Sequence, residues 1–384
     1  MTNYWVALSG GIDSVVLLHF LHQDFPEFKI SAIHVNHQLV PEAKAFENHC
    51  KKLCKQLHIP LTIKKINITK KPGESLEAKA REARYNLFKK LLKKNDILFT
   101  AHHLDDQAET FLFQVLRGAG LRGASAMPPI SALGKGYLVR PFLSFSREAL
   151  LDYATHQQLT WVNDPSNFDT QFDRNYLRHH IFPLFKKRWP QATKTFSRFA
   201  QHCAEQEILI AQFSEEDLKI CHGDYLNTLK ISSLLKFSVT QQKNILRVFI
   251  EKNNFSLPSE KILKEILKLC AARHDKNPIV SWGNTQCRRY QSNLFLLNTN
   301  NDRDEKLTSE EMTWCKKNNI DLNTVKITFR KGGEKFKPHN SAHTRTLKNL
   351  FQEWKIPPWL RESIPLIYKN NQLIAIVGYA KSTH

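Results

Sequence analysis

Residues Leu8–Leu21 read LSGGIDSVVLLHFL. An apolar run, Tyr4–Leu8, leads in, and a second apolar run with helical spacing, Ser14–His22, leads out. Between them stand two adjacent glycines flanked by serines. A strand, a glycine turn and a helix in that order place a loop at the carboxyl end of a strand, where open α/β sheets bind ligands. Glycines there leave backbone N–H groups unobstructed, and the helix N-terminus adds partial positive charge. Phosphate is the natural guest. The loop is neither GxxxxGK[ST] nor GxGxxG. Ser9, Gly10, Gly11, Ile12, Asp13 and Ser14 form SGGxDS. Both serines are able to donate to phosphate oxygens. Asp13 belongs beside an anion only if a divalent cation bridges the two. The competing explanation is an ordinary tight turn capped by Asp13 or Ser14.

The alternation continues downstream. Lys29–Val35 reads as a strand, Pro41–Leu57 as a helix with Pro41 in its first turn, and Leu61–Ile68 as a strand. Leu76–Leu92 is a long amphipathic helix, Asp96–Ala101 a strand, Leu104–Leu116 a helix. Tyr137–Val139 adds a short strand, and Ser146 caps a helix to about Gln157. The pattern predicts an α/β fold with a parallel sheet covered by helices on both faces. Past Pro190 it stops, and Ala192–Leu269 reads mostly helical. The polar stretch 298–311 reads as a linker, and short strands return from about Ile327. The expected domains are 1–190, a helical 191–310, and a small α+β unit over 311–384.

The 384 residues carry 56 Lys+Arg against 36 Asp+Glu, a net charge of +20. Such a field favours polyanions, nucleic acid above all. No apolar run approaches the roughly 18 residues of a membrane span, and MTNYWVALSGG is no secretory signal. Seven scattered cysteines form no CxxC, so neither a zinc ribbon nor a Cys-ligated cluster is indicated, and a reducing cytoplasm fits. Cys50 and Cys54 fall on an apolar helical stripe with Ala43, Phe46, Leu53 and Leu57, as core residues do. His19 reads likewise as packing.

A second constellation is AHHLDDQAETFLFQVLRGAGLRGASAMPP, residues 101–129. His102 and His103 end a strand; Asp105 and Asp106 open a helix. One aspartate suffices for a cap. With Glu109, three acidic groups lie within five residues, enough to contribute to a Mg²⁺ site.

SGGIDS resembles the pyrophosphate loop of the N-type ATP pyrophosphatases, which split ATP between the α and β phosphates and adenylate a carbonyl oxygen. HHLDDQAET followed by LRGAGLRG resembles one member family, tRNA(Ile)-lysidine synthetase. HVNH (His34–His37), EAKAREARY (Glu77–Tyr85), RPFL (Arg140–Leu143) and WVNDPSNFDTQFDRNYLRHHIFPLF (Trp161–Phe185) add to it. The last carries the D-x-S-N and R-N-x-x-R pattern at Asp164, Ser166, Asn167, Arg174, Asn175 and Arg178. The match is dense over 1–185 and moderate over 327–380. One departure stands out: LRGASAM replaces the family's GLxGM, at Ala124–Ala126.

The resemblance implies a Rossmann-like catalytic domain, ATP and Mg²⁺, and ligation of lysine to C2 of the wobble cytidine of an isoleucine tRNA with a CAU anticodon. It implies that Ser9, Gly10, Gly11, Ile12, Asp13, Ser14 and His34 bind ATP, and that Asp13 and Asp105 face Mg²⁺. Asp106, then Asp105, is expected as the base or orienting carboxylate for lysine. Arg81 and Arg84 are catalytic candidates; an i,i+4 pair of Glu77 with Arg81 is the plainer alternative. Arg117, Arg122, Arg174 and Arg178 are expected on tRNA. So are Lys335 and Lys337, in a C-terminal segment where Arg330, Lys331 and Lys348 interleave with Phe336, Phe351 and Trp354. Basic and aromatic residues together suit RNA; core aromatics under a charged skin are the alternative. The competing functions are a tRNA thiolase with the same loop and a catalytically inactive tRNA-binding protein. The oligomeric state is left open, a homodimer included.

Overall fold

The computed structural model describes residues 2–37, 43–66, 76–225, 227–271, 278–299, 307–322, 324–339, 341 and 343–382. Pro41, the end of the strand expected to reach Ile68, and the Glu77 side chain lie outside the described residues. The chain divides into two compact units, Met1–Ala211 and Gln212–His384.

The first unit runs β1 (Tyr4–Ala7), α1 (Ile12–Asp24), β2 (Ile30–Asn36), α2 (Ala43–Gln56), β3 (Leu61–Lys65), α3 (Leu76–Leu91), β4 (Ile97–Phe99), α4 (Leu104–Leu116), α5 (Leu121–Ala124), β5 (Ile130–Leu133), β6 (Gly136–Val139), α6 (Arg147–His156), α7 (Asp173–Tyr176), α8 (Phe182–Arg188) and the start of α9 (Ala192–Ile220). The sheet order is β3-β2-β1-β4-β6-β5. Its strands are parallel except β5, which pairs antiparallel with β6. The parallel sheet with helices is the α/β architecture expected from the alternation. The antiparallel edge strand β5 is additional.

Strand order reverses at β1, whose neighbours are β2 and β4. A crevice opens at such a switch point, outside the carboxyl ends of the strands. The loop after β1 and the His102–Asp106 segment after β4 both lie there. Beneath them is the main core. Val15, Val16, Leu17, Leu18 and Leu21 of α1 are buried against Val6, Leu8 and Ala32 of the sheet side and Leu150 and Ala154 of α6. Burying each such side chain contributes about 1.5–3 kcal/mol, so α1, and with it the loop at its start, is firmly seated. Cys50 and Cys54 belong to this core. His19 Nδ1 lies 3.1 Å from the Tyr153 hydroxyl. Ser146 caps α6, accepting from the Ala149 N–H at 3.2 Å.

The second unit contains β7 (Thr228–Lys230), α10 (Ile231–Leu234), α11 (Val239–Lys252), α12 (Glu260–Ala271), β8 (Ile279–Trp282), β9 (Thr285–Tyr290), β10 (Asn293–Asn298), α13 (Ser309–Lys317), β11 (Lys326–Thr328), β12 (Lys335–Phe336), β13 (Arg345–Thr346), α14 (Leu347–Glu353), β14 (Leu366–Lys369), β15 (Gln372–Ile376) and β16 (Ala380–Lys381). The middle region is helical as expected and also holds an antiparallel sheet, β7-β10-β9-β8. The polar stretch expected as a linker over 298–311 is shorter at its far end. Thr308 forms a reciprocal cap with Glu311 and starts α13. The C-terminal region is built on a further four-stranded sheet, β11-β14-β15-β16. No helix among the described residues is long and apolar enough to cross a membrane.

Candidate active site

The loop after β1 is closed on itself by serine hydroxyls. The Ser9 and Gly10 N–H groups both donate to Ser14 Oγ at 3.2 Å. The Gly11 N–H points to Ser9 Oγ at 3.3 Å, and Ser14 Oγ donates to the Gly11 carbonyl at 2.9 Å. Gly10 has φ +94°, and a Cβ there would stand 3.3 Å from Cys50 Sγ and 3.5 Å from Phe46. The chain is therefore restricted to glycine at that point. The first bond of α1 runs from Val15 N–H to the Gly11 carbonyl. The amides of Ile12, Asp13 and Ser14 precede it and are the helix's unsatisfied donors. The donor set thus differs from the sequence expectation: in this structure the Gly10 and Gly11 amides are directed to hydroxyls, and the open amides begin at Ile12.

Asp13 extends from the first turn of α1. Its Oδ1 is buried with no hydrogen-bond partner. Desolvation raises its carboxyl above the ordinary aspartate value, opposed by the neighbouring His103. A buried carboxylate oxygen without a donor is costly, and a divalent cation is the partner that suits it. Asp13 fits Mg²⁺ on this ground. Asp105, expected beside it, has both oxygens engaged: Oδ2 accepts from the Arg147 N–H at 3.0 Å and Oδ1 from Lys186 Nζ at 2.9 Å. Those donors outweigh desolvation and hold its carboxyl below the usual value. Among the described residues, no group of three or more His, Cys, Asp or Glu side chains is arranged to hold a metal.

His103 joins the loop to the acidic helix. It caps α4 reciprocally with Asp106: its Nδ1 accepts from the Asp106 N–H at 3.4 Å, and its N–H donates to Asp106 Oδ2 at 3.1 Å. With Nδ1 accepting, Nε2 is the nitrogen turned toward the carboxylates. That nitrogen lies 3.5 Å from Asp106 Oδ2 and 3.9 Å from Asp13 Oδ2.

The motifs place Asp106 on lysine, and Arg174 and Arg178 on tRNA. The structure brings the three together. Asp106 Oδ1 accepts from Arg174 Nη2 at 2.8 Å and Arg178 Nη2 at 2.9 Å. The same arginines donate to Glu109: Arg174 Nε at 3.1 Å, Arg178 Nε at 2.7 Å. Asp106 is buried, which alone would raise its carboxyl, but Arg174, His103, His102 and Arg178 hold it far below the usual range. A carboxylate so stabilised is a poor proton acceptor and a good fixed negative charge. The arginines sit where the chain passes from α7 through a π-helical turn, Leu177–Ile181, a geometry frequent at functional sites.

His34 is buried at the end of β2, with Nδ1 2.9 Å from the Leu8 carbonyl. Burial lowers its pKa, so the neutral ring ties β2 to the root of the loop. Arg81 and Arg84 flank Tyr85, their guanidinium carbons 5.0 and 5.9 Å from the ring centre. Arg117 lies over Phe113 at 5.2 Å, and both Arg117 and Arg122 are exposed. In the second unit Lys335 and Lys337 are exposed while Phe336 and Phe351 are core residues. Those two rings are closed to stacking, as the core alternative had it. Gln107 escaped the sequence reading. Its amide clamps Met127, donating to the carbonyl at 2.9 Å and accepting from the N–H at 3.0 Å. A glutamine on the buried side of a helix was the available signal. Lys186, far along the chain from Asp105, gave none.

Residues 2–185 match the model of the PP-loop domain, 229–295 that of the TilS substrate binding domain, and 325–384 that of the TilS substrate C-terminal domain. The chain is 42% identical to tRNA(Ile)-lysidine synthase of Coxiella burnetii, over 98% of its own length and 89% of the relative's. It is 36% identical to the enzyme of that name from Escherichia coli O157:H7, covering 97% and 91%. Among solved structures it is similar to the U34-tRNA thiolase NcsA of Methanococcus maripaludis, at 16% identity and TM-score 0.46, over 53% of this chain and 72% of that one. With a glycine loop and an acidic helix at one switch point, and relatives matched almost end to end, the chain belongs to the tRNA(Ile)-lysidine synthase family.

Proposed function

We propose that this chain ligates lysine to C2 of the wobble cytidine of an isoleucine tRNA with a CAU anticodon, using ATP, in the cytoplasm. In the first step cytosine O2 attacks the α phosphorus of ATP and pyrophosphate departs, leaving an O2-adenylated cytidine. In the second, the ε-amine of lysine attacks C2, the C2–O2 bond breaks, and AMP leaves with that oxygen. The amine loses a proton in the process. O2 is a poor leaving group until it carries AMP. The modified base pairs with A in place of G, which changes the tRNA's identity from Met to Ile.

The observation that carries this reading is the junction at His103. One imidazole lies within 4 Å of Asp13, at the phosphate loop, and of Asp106, at the arginine-bound cluster. Ser9, Ser14 and the open amides from Ile12 onward would take the nucleotide's phosphates, preorganised donors being the main source of stabilisation for such a transfer. Asp13 would hold Mg²⁺, which when bound screens phosphate charge. Asp106 orients the lysine ammonium as a fixed anion. Free lysine has an amine pKa of about 10.4, so a separate acceptor takes its proton. Asp105 already holds a primary ammonium, Lys186 Nζ, and is the second candidate. All seven thiols are buried and burial pushes Cys50, beneath the loop, up to about 12. A thiolase reaction would find no ready thiolate.

The test is incubation with ATP, Mg²⁺, labelled lysine and bulk tRNA, followed by mass analysis of nucleosides. Label on a single cytidine-derived nucleoside supports the proposal; AMP release without it refutes it. Asp106→Asn is expected to retain ATP–pyrophosphate exchange and to lose lysine transfer.

A further inference from the structure

Arg140 ends β6 with 7% of its surface exposed. A buried guanidinium ordinarily has a carboxylate partner, as Arg174 and Arg178 do. Among the described residues Arg140 has none. Its Nη1 donates to the Pro128 carbonyl at 2.6 Å and more weakly to Ser131 Oγ at 3.4 Å, and its Nε is buried without a partner. Burial lowers the pKa of its guanidinium, and the Tyr85 hydroxyl opposes that. Across Tyr85 stands a second cation, Arg81, half-buried and 5.0 Å from the ring centre. Among the described residues no ion pair links Arg81 to a carboxylate either. Close to these groups is His102, whose Nδ1 lies 3.0 Å from Thr100 Oγ1. Burial lowers its pKa to about 3, and Arg174, Arg140 and Arg81 all press in the same direction. Among the described residues, two cations without a carboxylate partner thus stand near a neutral imidazole.

The position says what the charge is for. His102 and Arg140 follow the carboxyl ends of β4 and β6. β6 is two strands from β1, so Arg140 is displaced about 10 Å sideways from the phosphate loop at the usual strand spacing. The loop has its own donors for a nucleotide's terminal phosphates. A second anion at that distance corresponds to a neighbouring phosphate of the same reaction complex. We propose that Arg140 and Arg81, with the Tyr85 hydroxyl, form a phosphate subsite that takes a phosphodiester of the RNA beside the base being modified. This rests on the function proposed above and names a contact for its RNA. Planar guanidinium groups suit phosphate oxygens, and a phosphate supplies the counter-charge that Arg140 lacks. The nucleotide's α phosphate is the other source of the same chemistry.

The experiment uses the full chain with Arg81→Gln and Arg140→Gln, measuring tRNA affinity across a salt series and, separately, affinity for a non-hydrolysable ATP analogue. For an RNA phosphate, tRNA binding weakens about tenfold or more per variant, as removal of a charge-assisted bond implies. The slope of log K against log salt then shrinks by about 0.7 for each single-stranded phosphate that is no longer neutralised, with analogue affinity unchanged. Weakened analogue binding with an unchanged tRNA slope keeps the phosphate subsite but assigns it to the nucleotide. Wild-type values for both ligands overturn it. Arg81 lies on a helix surface and its variant is expected to fold, so it decides the matter if Arg140→Gln does not. Lysine incorporation by the wild type is followed in parallel. Its absence would sink the proposed function, while the salt slope still reports on the subsite.

Discussion

Arg178 holds Glu109 by two hydrogen bonds, Nε to Oε1 at 2.7 Å and Nη2 to Oε2 at 2.9 Å. Their positions are 69 residues apart, and the Glu109 side chain is 3% exposed. The pair ties the R-N-x-x-R segment to the buried side of α4. Removing Arg178 leaves the buried carboxylates of Glu109 and Asp106 to Arg174 alone. We expect Arg178→Ala to lower stability by about 3 kcal/mol, the scale for breaking a buried pair, as read by urea unfolding. A decrease below about 1 kcal/mol would show that the pair is solvated.

Asp13→Asn is expected to reduce ATP–pyrophosphate exchange by about a hundredfold or more, as when one preorganised group leaves such a site. An exchange rate near wild type removes Asp13 from the phosphate chemistry.

The same substitution is expected to stabilise the fold in the absence of nucleotide and Mg²⁺. Burial raises the folded pKa of Asp13. A raised carboxyl binds more protons folded than unfolded, so it costs stability as pH climbs from the unfolded value, about 3.9, through the folded one. Asp13→Asn escapes that cost. Its advantage in melting temperature at pH 7 should vanish by about pH 3, below the unfolded pKa, where wild-type Asp13 is protonated in both states. An advantage independent of pH would contradict this.

Asp106 has the opposite sign. Its folded pKa is depressed, so its contribution is complete well above the unfolded value of about 3.9 and is lost as pH falls below that toward the folded one. Comparing wild type with Asp106→Asn, the stability difference should stay constant from pH 8 to about 5 and narrow only in stronger acid. A difference that changes around neutrality would mean that another group titrates there.

Ala126 has φ +53°, in the turn Ala124–Ala126 where the sequence departs from the family pattern. A left-handed alanine costs about 1–2 kcal/mol, part of which glycine would return in chain entropy. Ala126→Gly is expected to raise stability by about 0.5–1 kcal/mol, measured by thermal unfolding. The clamp from Gln107 to Met127 holds this turn in place meanwhile.

The first unit was legible because each of its elements is written locally. SGGIDS lies between a strand and a helix, and the Leu104–Leu116 helix has the bounds expected of it. Strand β9 shows what was not legible. In TQCRRY the buried face is Thr285, Cys287 and Arg289. No hydrophobic alternation marks it, because Arg289 is buried on backbone carbonyls, Cys270 at 2.8 Å and Gln291 at 3.2 Å. At the site, residue types were legible and partners were not. Asp106 and Arg174 both carry motif positions, but nothing in their local spacing shows that one neutralises the other across 68 residues. Long-range pairing of charges depends on where the chain returns, and only the folded chain records that.

The hydroxyl of Ser14 gathers two amides and gives its own proton to a third residue's carbonyl. An arriving nucleotide therefore meets a rehearsed shape, whose ordering was settled when the chain folded. Its oxygens meet open amides and hydroxyls already in place, so the backbone of residues 9–14 should hardly move on capture.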